Sequence, residues 1–451
     1  MNAGLARTIY LVGCRLRGIP VPRYLAELED SQWWSEEEMR EAQLEKLRSL
    51  LAHARDHSPF YRELFRERGF DCGVRSLADL KALPTLGKKD MVAHRGAIQN
   101  EGRGGRLVFS KTAGTTSVLL DFYRTADWDA QHRAAIARGY RWYGVDLWMR
   151  SGILWSIPAK RGLRAKARVG DVLLNRFRQR SFEMSERTLE PFYRKLVGAT
   201  YLDGYAGMLY EFARFVNERH RGERPLALKL VKGTSEKIYP HYQEAAREAF
   251  GTKITSEYGA AEAGIIAFEC PAGSLHVNMD HVIVEVEGGE IVVTNLLSHS
   301  FPFIRYRLGD GVTLKTGFSC PCGRKGLVID EIVGRVGLRI IGRGGVVFPS
   351  VVIDLIIKPL VALGGLVARC QAVQRVVGEL ELYVVPARPL SRDDEERIVR
   401  FFSETMPRFF GDAIGYRLAF VEAIPRGAGK SLEFVSELPA REPTAGARPS
   451  G

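Results

Sequence analysis

Residues Ser256–Cys270 read SEYGAAEAGIIAFEC, a strand-like polar opening, a Tyr-Gly pair, and then one acid, Glu262, among alanines and glycines. Together with the preceding residues, TKITSEYG reads as a short strand. The AGIIAF that follows is apolar enough to be buried. A lone carboxylate between two such runs needs a reason. Capping the first turn of a helix is one, because acids are stabilised there.

The flanking sequence sets the class of fold. Short apolar strands such as SGILWSIP and LALKLVKGTSE stand between helical stretches, an alternation that predicts an α/β domain. HVIVEVEGGEIVVTNL carries two alternating runs about Glu287-Gly288-Gly289, a hairpin signal that opens a β-rich subdomain. Upstream, Ser35 followed three residues later by Glu38 forms a capping box, and Leu44, Leu47 and Leu51 continue at helical spacing. Downstream, CQAVQRVVGELELYVVPA, RDDEERIVRFFSETMPRFF and YRLAFVEAIP predict a compact strand-strand-helix-strand module. The expected division is residues 1–335 as a large N-terminal domain and 336–440 as a small, mobile α+β C-terminal domain. A Pro/Ala/Gly-rich tail, 441–451, is expected to be disordered.

The chain has 451 residues, 45% hydrophobic and 26% charged, enough for more than one core at about 150 residues per domain. Its net charge of +12 favours anionic ligands. The basic residues are spread out and lack the dense, aromatic-interleaved block of a nucleic-acid face, so nucleic acid is not an expected partner. Six cysteines are too few for a disulfide scaffold at this length and favour a reducing, cytoplasmic compartment. The N-terminal MNAGLARTIYLVGCRLRGIPVPRYL has an apolar run too short to span a bilayer. It reads either as a basic helix making peripheral contact with a membrane surface or as one docked on its own domain.

Several short motifs carry chemistry. FSKTAGTTSVLL sets Gly114, Thr115 and Thr116 between strand-like RLVFS and VLLDFY, where backbone N–H groups and hydroxyls can meet phosphate oxygens. It lacks the Gly-Lys-Ser/Thr ending of a Walker loop. YRLGD places Asp310 after a glycine at an expected strand end, and IPRGAGK presents Lys430 beyond a Pro/Gly-rich loop. ECPAGSLH and SCPCGR supply Cys270, His276, Cys320 and Cys322, residue types that tetrahedral zinc accepts, or four ordinary residues of the β-rich region. Cys14, Cys72 and Cys370 have no partner pattern and read as buried small hydrophobes.

In their order, TAGTTS, YGAAE, YRLGD, VGRVG and PRGAGK make the chain resemble the adenylate-forming ligase superfamily. Within it the resemblance is to the phenylacetate-CoA ligase-like branch, which includes capsular-polysaccharide-biosynthesis homologues. The resemblance implies ATP-dependent activation of a carboxylic acid to an acyl-adenylate, followed by acyl transfer to CoA. Transfer to an amine or hydroxyl in polysaccharide biosynthesis, or a non-catalytic binding descendant, are the alternatives.

It further implies that Glu262 holds Mg2+, that Tyr258, with Glu257 and Gly259 beside it, lies against adenine, and that Asp310 binds the ribose hydroxyls. Gly114, Thr115 and Thr116 would meet the triphosphate, Arg335 at the hinge would approach the ribose, and Lys430 would pair with the carboxylate and α-phosphate oxygens. Tyr205, Ala206 and Gly207 match the segment near the acyl pocket or are plain core, and the four Cys/His residues match a structural zinc site of relatives. This chain departs from the family pattern at Ala113 and Ser117 in the loop, in a hinge without acids, and at Glu433.

Overall fold

A computed structural model describes residues 3–101, 104–112, 120–154, 161–179, 186–221, 226–235, 238, 240–335, 339–349, 351–361, 366–422, 434–436 and 438. The chain forms two compact units, one from the sequence up to Gly334 and one from Arg335 onward.

In the first unit, β1 (Leu107–Lys111) and β2 (Asp121–Thr125) pair antiparallel as the arms around the Gly-Thr-Thr segment. A second, 11-stranded sheet begins with β3 (Ser151–Leu154), β4 (Arg176–Arg178), β5 (Tyr201–Tyr205), β6 (Leu230–Thr234) and β7 (Ile254–Ala260). These strands are parallel, in the spatial order β4-β3-β5-β6-β7. Helices Arg161–Leu173, Glu186–Leu196, Ala206–Arg219 and Pro240–Phe250 alternate with them in sequence. Parallel neighbours need such crossovers, and the alternating texture anticipated them.

Past β7 the sheet turns antiparallel through β8 (Gly264–Glu269) and β9 (Leu275–Val277). It continues with β10 (Val282–Glu287), β11 (Glu290–Asn295), β12 (Tyr306–Leu314) and β13 (Val328–Arg335). This is the expected β-rich region. β10 and β11 pair antiparallel across a turn in which Gly288 and Gly289 both have positive φ, 60° and 80°. Such a turn matches the twist of the two strands. Ser35 caps helix Glu36–His57 with both capping-box hydrogen bonds present.

The N-terminal helix Ala3–Leu16 docks on its own unit: Ala6 is buried and Tyr10 packs on the ring of Trp148. Of the three unassigned cysteines, Cys72 and Cys370 are buried, whereas Cys14 is only half-buried. Among the described residues no helix is long and apolar enough to cross a membrane.

The second unit contains the hairpin β14 (Arg339–Ile341) and β15 (Val347–Pro349). A four-stranded sheet of β16 (Val367–Val376), β17 (Glu379–Pro386), β18 (Gly415–Phe420) and β19 (Phe434–Ser436) follows, in the order β18-β17-β16-β19. Helices Val351–Val361 and Arg392–Phe410 cover it, burying Ile353, Ile356, Leu360, Ile398, Phe402 and Met406 in one core. Strand, strand, helix and strand from β16 to β18 follow the sequence expectation. β19 is an addition, pairing parallel with β16 at Ala372 and Val373.

Candidate active site and metal cluster

β7 runs parallel to β5 and β6, so Tyr258–Ala260 lies at the carboxyl edge of the parallel sheet, where ligands of open α/β sheets bind. The turn that follows leads into β8, an extended strand. The helix-capping reading of Glu262 is therefore overturned, because no helix begins there. Gly259 sits where β7 and β8 slip register, and a Cβ on it would lie 2.6 Å from the Gly264 carbonyl oxygen. Only glycine lets the two backbones approach so closely.

This geometry brings two sequence-distant motifs together. The Tyr258 hydroxyl donates to Asp310 Oδ2 at 2.8 Å. One turn on, Tyr306 donates to Glu262 Oε1 at 3.0 Å, and Asn295 Nδ2 donates to the Glu262 backbone carbonyl at 2.8 Å. Asp310 lies inside β12, not at a strand end as expected, because β12 continues to Leu314 beyond an irregular stretch in its pairing with β11. Its neighbour Gly309, with φ +80°, donates its N–H to Glu290 at 3.0 Å. Among the described residues Glu262 has no ion-pair partner and is nearly buried at 8% exposure. An anionic oxygen so placed fits a hard divalent cation.

Glu257, the residue before Tyr258 on β7, is buried and bonded to Lys232 Nζ at 3.0 Å, while Lys232 also meets Asp203 Oδ1 at 2.8 Å. Burial raises the Glu257 pKa, with Lys232 opposing it. Burial also works against the Lys232 cation, but the two carboxylates win and hold it charged. The Glu257 side chain is thus engaged by Lys232 across the sheet. Tyr140 donates to Asp203 at 3.1 Å, completing a polar row under the carboxyl edge. Tyr205 ends β5 at the same edge, and Ala206 and Gly207 open the next helix.

Sequence reasoning missed Tyr306, Asn295 and Lys232 as members of this arrangement. Tyr306 was within reach, because it opens the YRLGD motif itself. Gly114, Thr115, Thr116 and Lys430 lie outside the described residues, as do Ala113, Ser117, Glu433, residues 336–338 of the hinge and the 441–451 tail. Arg335 closes the backbone of β13.

The second constellation does converge. Ligand atoms of Cys270, His276, Cys320 and Cys322 all lie within 4.8 Å of one another. Cys270 opens the β8–β9 connection, His276 sits in β9, and the two other cysteines come from the loop between β12 and β13. β9 pairs with β13 at His276↔Val328, which brings the two loops together. The Cys270 and Cys320 sulfurs are 3.7 Å apart, and Cys322 Sγ is 3.3 Å from His276 Nε2. Sulfurs about 2.3 Å from a tetrahedral ion would stand near this separation.

Burial, with Arg324 and Arg138 adding to it, lowers the His276 pKa to about 4 and keeps the imidazole neutral, the form that ligates metal. Burial pushes the Cys270 thiol up to about 11. Cys320 is held below the usual thiol value against its own burial, by hydrogen bonds with Ser274 and Cys322. The donor set and its geometry fit zinc.

The fold, a large α/β unit with a β-rich extension plus a small α+β unit, is shared with 2-hydroxyisobutyryl-CoA ligase. No family model matches the chain. The chain is 28% identical to the phenylacetate-coenzyme A ligase of Thermus thermophilus, covering 80% of this chain and 85% of that protein. It is 22% identical to Protein CapK of Staphylococcus aureus, covering 87% and 88%. A crystal structure of 2-hydroxyisobutyryl-CoA ligase in the postadenylation state with R3-HIB-AMP superposes with a TM-score of 0.61 at 21% identity, covering 90% of this chain and 92% of that one. A second structure of that ligase, with 2-HIB-AMP and CoA in the thioesterification state, gives 0.57 at the same identity, covering 91% and 93%.

Proposed function

We propose that the chain activates a carboxylic acid with ATP to an acyl-adenylate and passes the acyl group to CoA. The observation that carries this reading is the pairing of Tyr258 with Asp310, beside Glu262 anchored by Tyr306 and Asn295, at the carboxyl edge of β7. The similarity to phenylacetate-coenzyme A ligase supports it.

On this reading an acid carboxylate oxygen attacks the α-phosphorus of ATP and pyrophosphate leaves; then the CoA thiolate attacks the acyl carbonyl and AMP leaves. Tyr258 lies against adenine, with the backbone at Glu257 and Gly259 beside it, and Asp310 accepts from the ribose hydroxyls. Gly114, Thr115 and Thr116 meet the phosphates, Arg335 approaches the ribose, and Lys430 neutralises carboxylate and α-phosphate oxygens during the first step. Glu262 would hold Mg2+, which supplies charge neutralisation at the phosphates. Cys270, His276, Cys320 and Cys322 would hold a structural Zn2+. Residues 336–440 act as the mobile C-terminal domain, and the N-terminal helix offers its exposed face to a membrane surface.

Pyrophosphate exchange with a panel of acids tests the first step. Exchange with at least one acid supports the proposal, and its absence with every acid in a folded protein refutes it. A second reading, transfer to an amine or hydroxyl as in polysaccharide assembly, is favoured by Glu433, where the resembled family tends to have a basic residue. Offering CoA, amines and hydroxyl acceptors to the preformed adenylate separates the two.

A further inference from the structure

The helices Ala3–Leu16 and Arg161–Leu173 of the first unit touch one another. The first spends one face on its own unit through Ala6 and Tyr10. Its other face exposes Leu5, Val12 and Leu16, at 56%, 49% and 82%. Spacings of seven and four put these three on one stripe. The neighbouring helix exposes Val169, Val172 and Leu173, at 61%, 71% and 39%. Single exposed aliphatic residues are ordinary on soluble surfaces, but six of them on two adjacent helices make a patch that marks an interaction site.

Charge identifies the occupant. Arg7, Arg15 and Arg17 are exposed around the first helix, and no acid precedes Glu27 in the chain. The second helix, RGLRAKARVGDVL, is rich in cations and has one acid, Asp171, which is buried and bound to Arg176 at 2.7 Å and Arg178 at 2.6 Å. Arg168 is exposed beside Val172. A second copy of the chain would bring like charge against like. An anionic lipid surface satisfies both features, with aliphatic side chains at the acyl boundary and arginines at the headgroup phosphates. We infer that these two helices form a docking face for anionic membrane. This goes beyond the adenylation chemistry and does not depend on it.

The full chain is to be sedimented with phosphatidylcholine vesicles, with and without about one-third phosphatidylglycerol, at low and high salt. It should pellet with the anionic vesicles only, and less so as salt rises. Leu16→Glu combined with Val172→Glu, and separately Arg15→Gln combined with Arg168→Gln, should each lower the partition at least about tenfold. All four positions are exposed, so the thermal melt and pyrophosphate exchange in solution should not change. Absence of binding, equal binding to neutral vesicles, or unchanged binding by both variants overturns the inference. So does self-association without vesicles that the same variants abolish, since a second copy would then cover the face.

Discussion

Glu262 is held from two directions, through its carboxylate by Tyr306 and through its backbone by Asn295. Glu262→Gln keeps shape and anchoring while removing the charge that a hard cation needs. On the proposed role it should lower pyrophosphate exchange roughly 100-fold, with a shifted Mg2+ dependence; near-normal exchange would set the role aside. His281 offers a pH test. It is 4% exposed and its pKa is lowered to about 3 by burial, with neighbouring Asp280 opposing. Lys46, Arg138 and His132 add to the lowering. The unfolded chain, with an imidazole pKa near 6.5, binds the proton first, so stability is full above that value and falls as pH drops toward about 3.

Asp280, whose pKa is lowered against burial by Arg138, His281 and Ser31, adds stability that is lost in the same direction. Melting curves should fall with acid by up to about 1.4 kcal/mol per pH unit for each extra proton taken up by the unfolded chain, and His281→Gln should flatten the slope. At this scale Tyr258, Gly259 and Glu262 were legible because a strand, a glycine and an acid follow one another within a few residues. Their partners Tyr306, Asn295 and Lys232 come from other strands, and no local pattern records which strands will be neighbours.

Among elements, those whose signals are local were read directly: the Ser35 capping box, the Glu287-Gly288-Gly289 hairpin and the helix of RDDEERIVRFFSETMPRFF. Helix Val351–Val361 was not, because VVIDLIIKPLV is rich in β-branched residues and contains Pro359, a composition that local propensity assigns away from helix. Tertiary burial on β16 overrides it. β19 has three residues, too few to show a strand period, so only its pairing with β16 defines it. The cysteine loops are an intermediate case: ligand types were visible, but their meeting depends on the β9–β13 pairing. If zinc sits there, purified protein should carry about one equivalent. Cys320→Ser with Cys322→Ser should release it and lower the melting temperature by roughly 5 °C or more. Metal-free wild-type protein with an unchanged melt would remove zinc from the account.

For the whole molecule, the proposed two-step chemistry predicts a division of labour between the two units. Lys430→Ala should reduce adenylate formation by about 100-fold or more while leaving acyl transfer from supplied acyl-adenylate within a fewfold of wild type. Equal loss of both steps would contradict a lysine used in the first step only. The sequence marks the second unit by the restart of its helix-strand texture after VGRVG.

The bridge between Leu86 and Tyr306 joins positions 220 residues apart, and Arg305 completes the junction with its guanidinium on the Leu83 carbonyl. The chain is made from its N-terminus, so the segment around Leu86 leaves the ribosome long before its partner exists. At about 5–20 residues per second the delay is roughly 10–40 seconds. During that interval the segment around Leu86 lacks its β12 partner. Nascent chains stalled before Tyr306 emerges should be cut by protease within the first hundred residues, and chains stalled beyond β13 should resist. Protection already complete in the shorter chains would mean that the N-terminal region folds without this bridge.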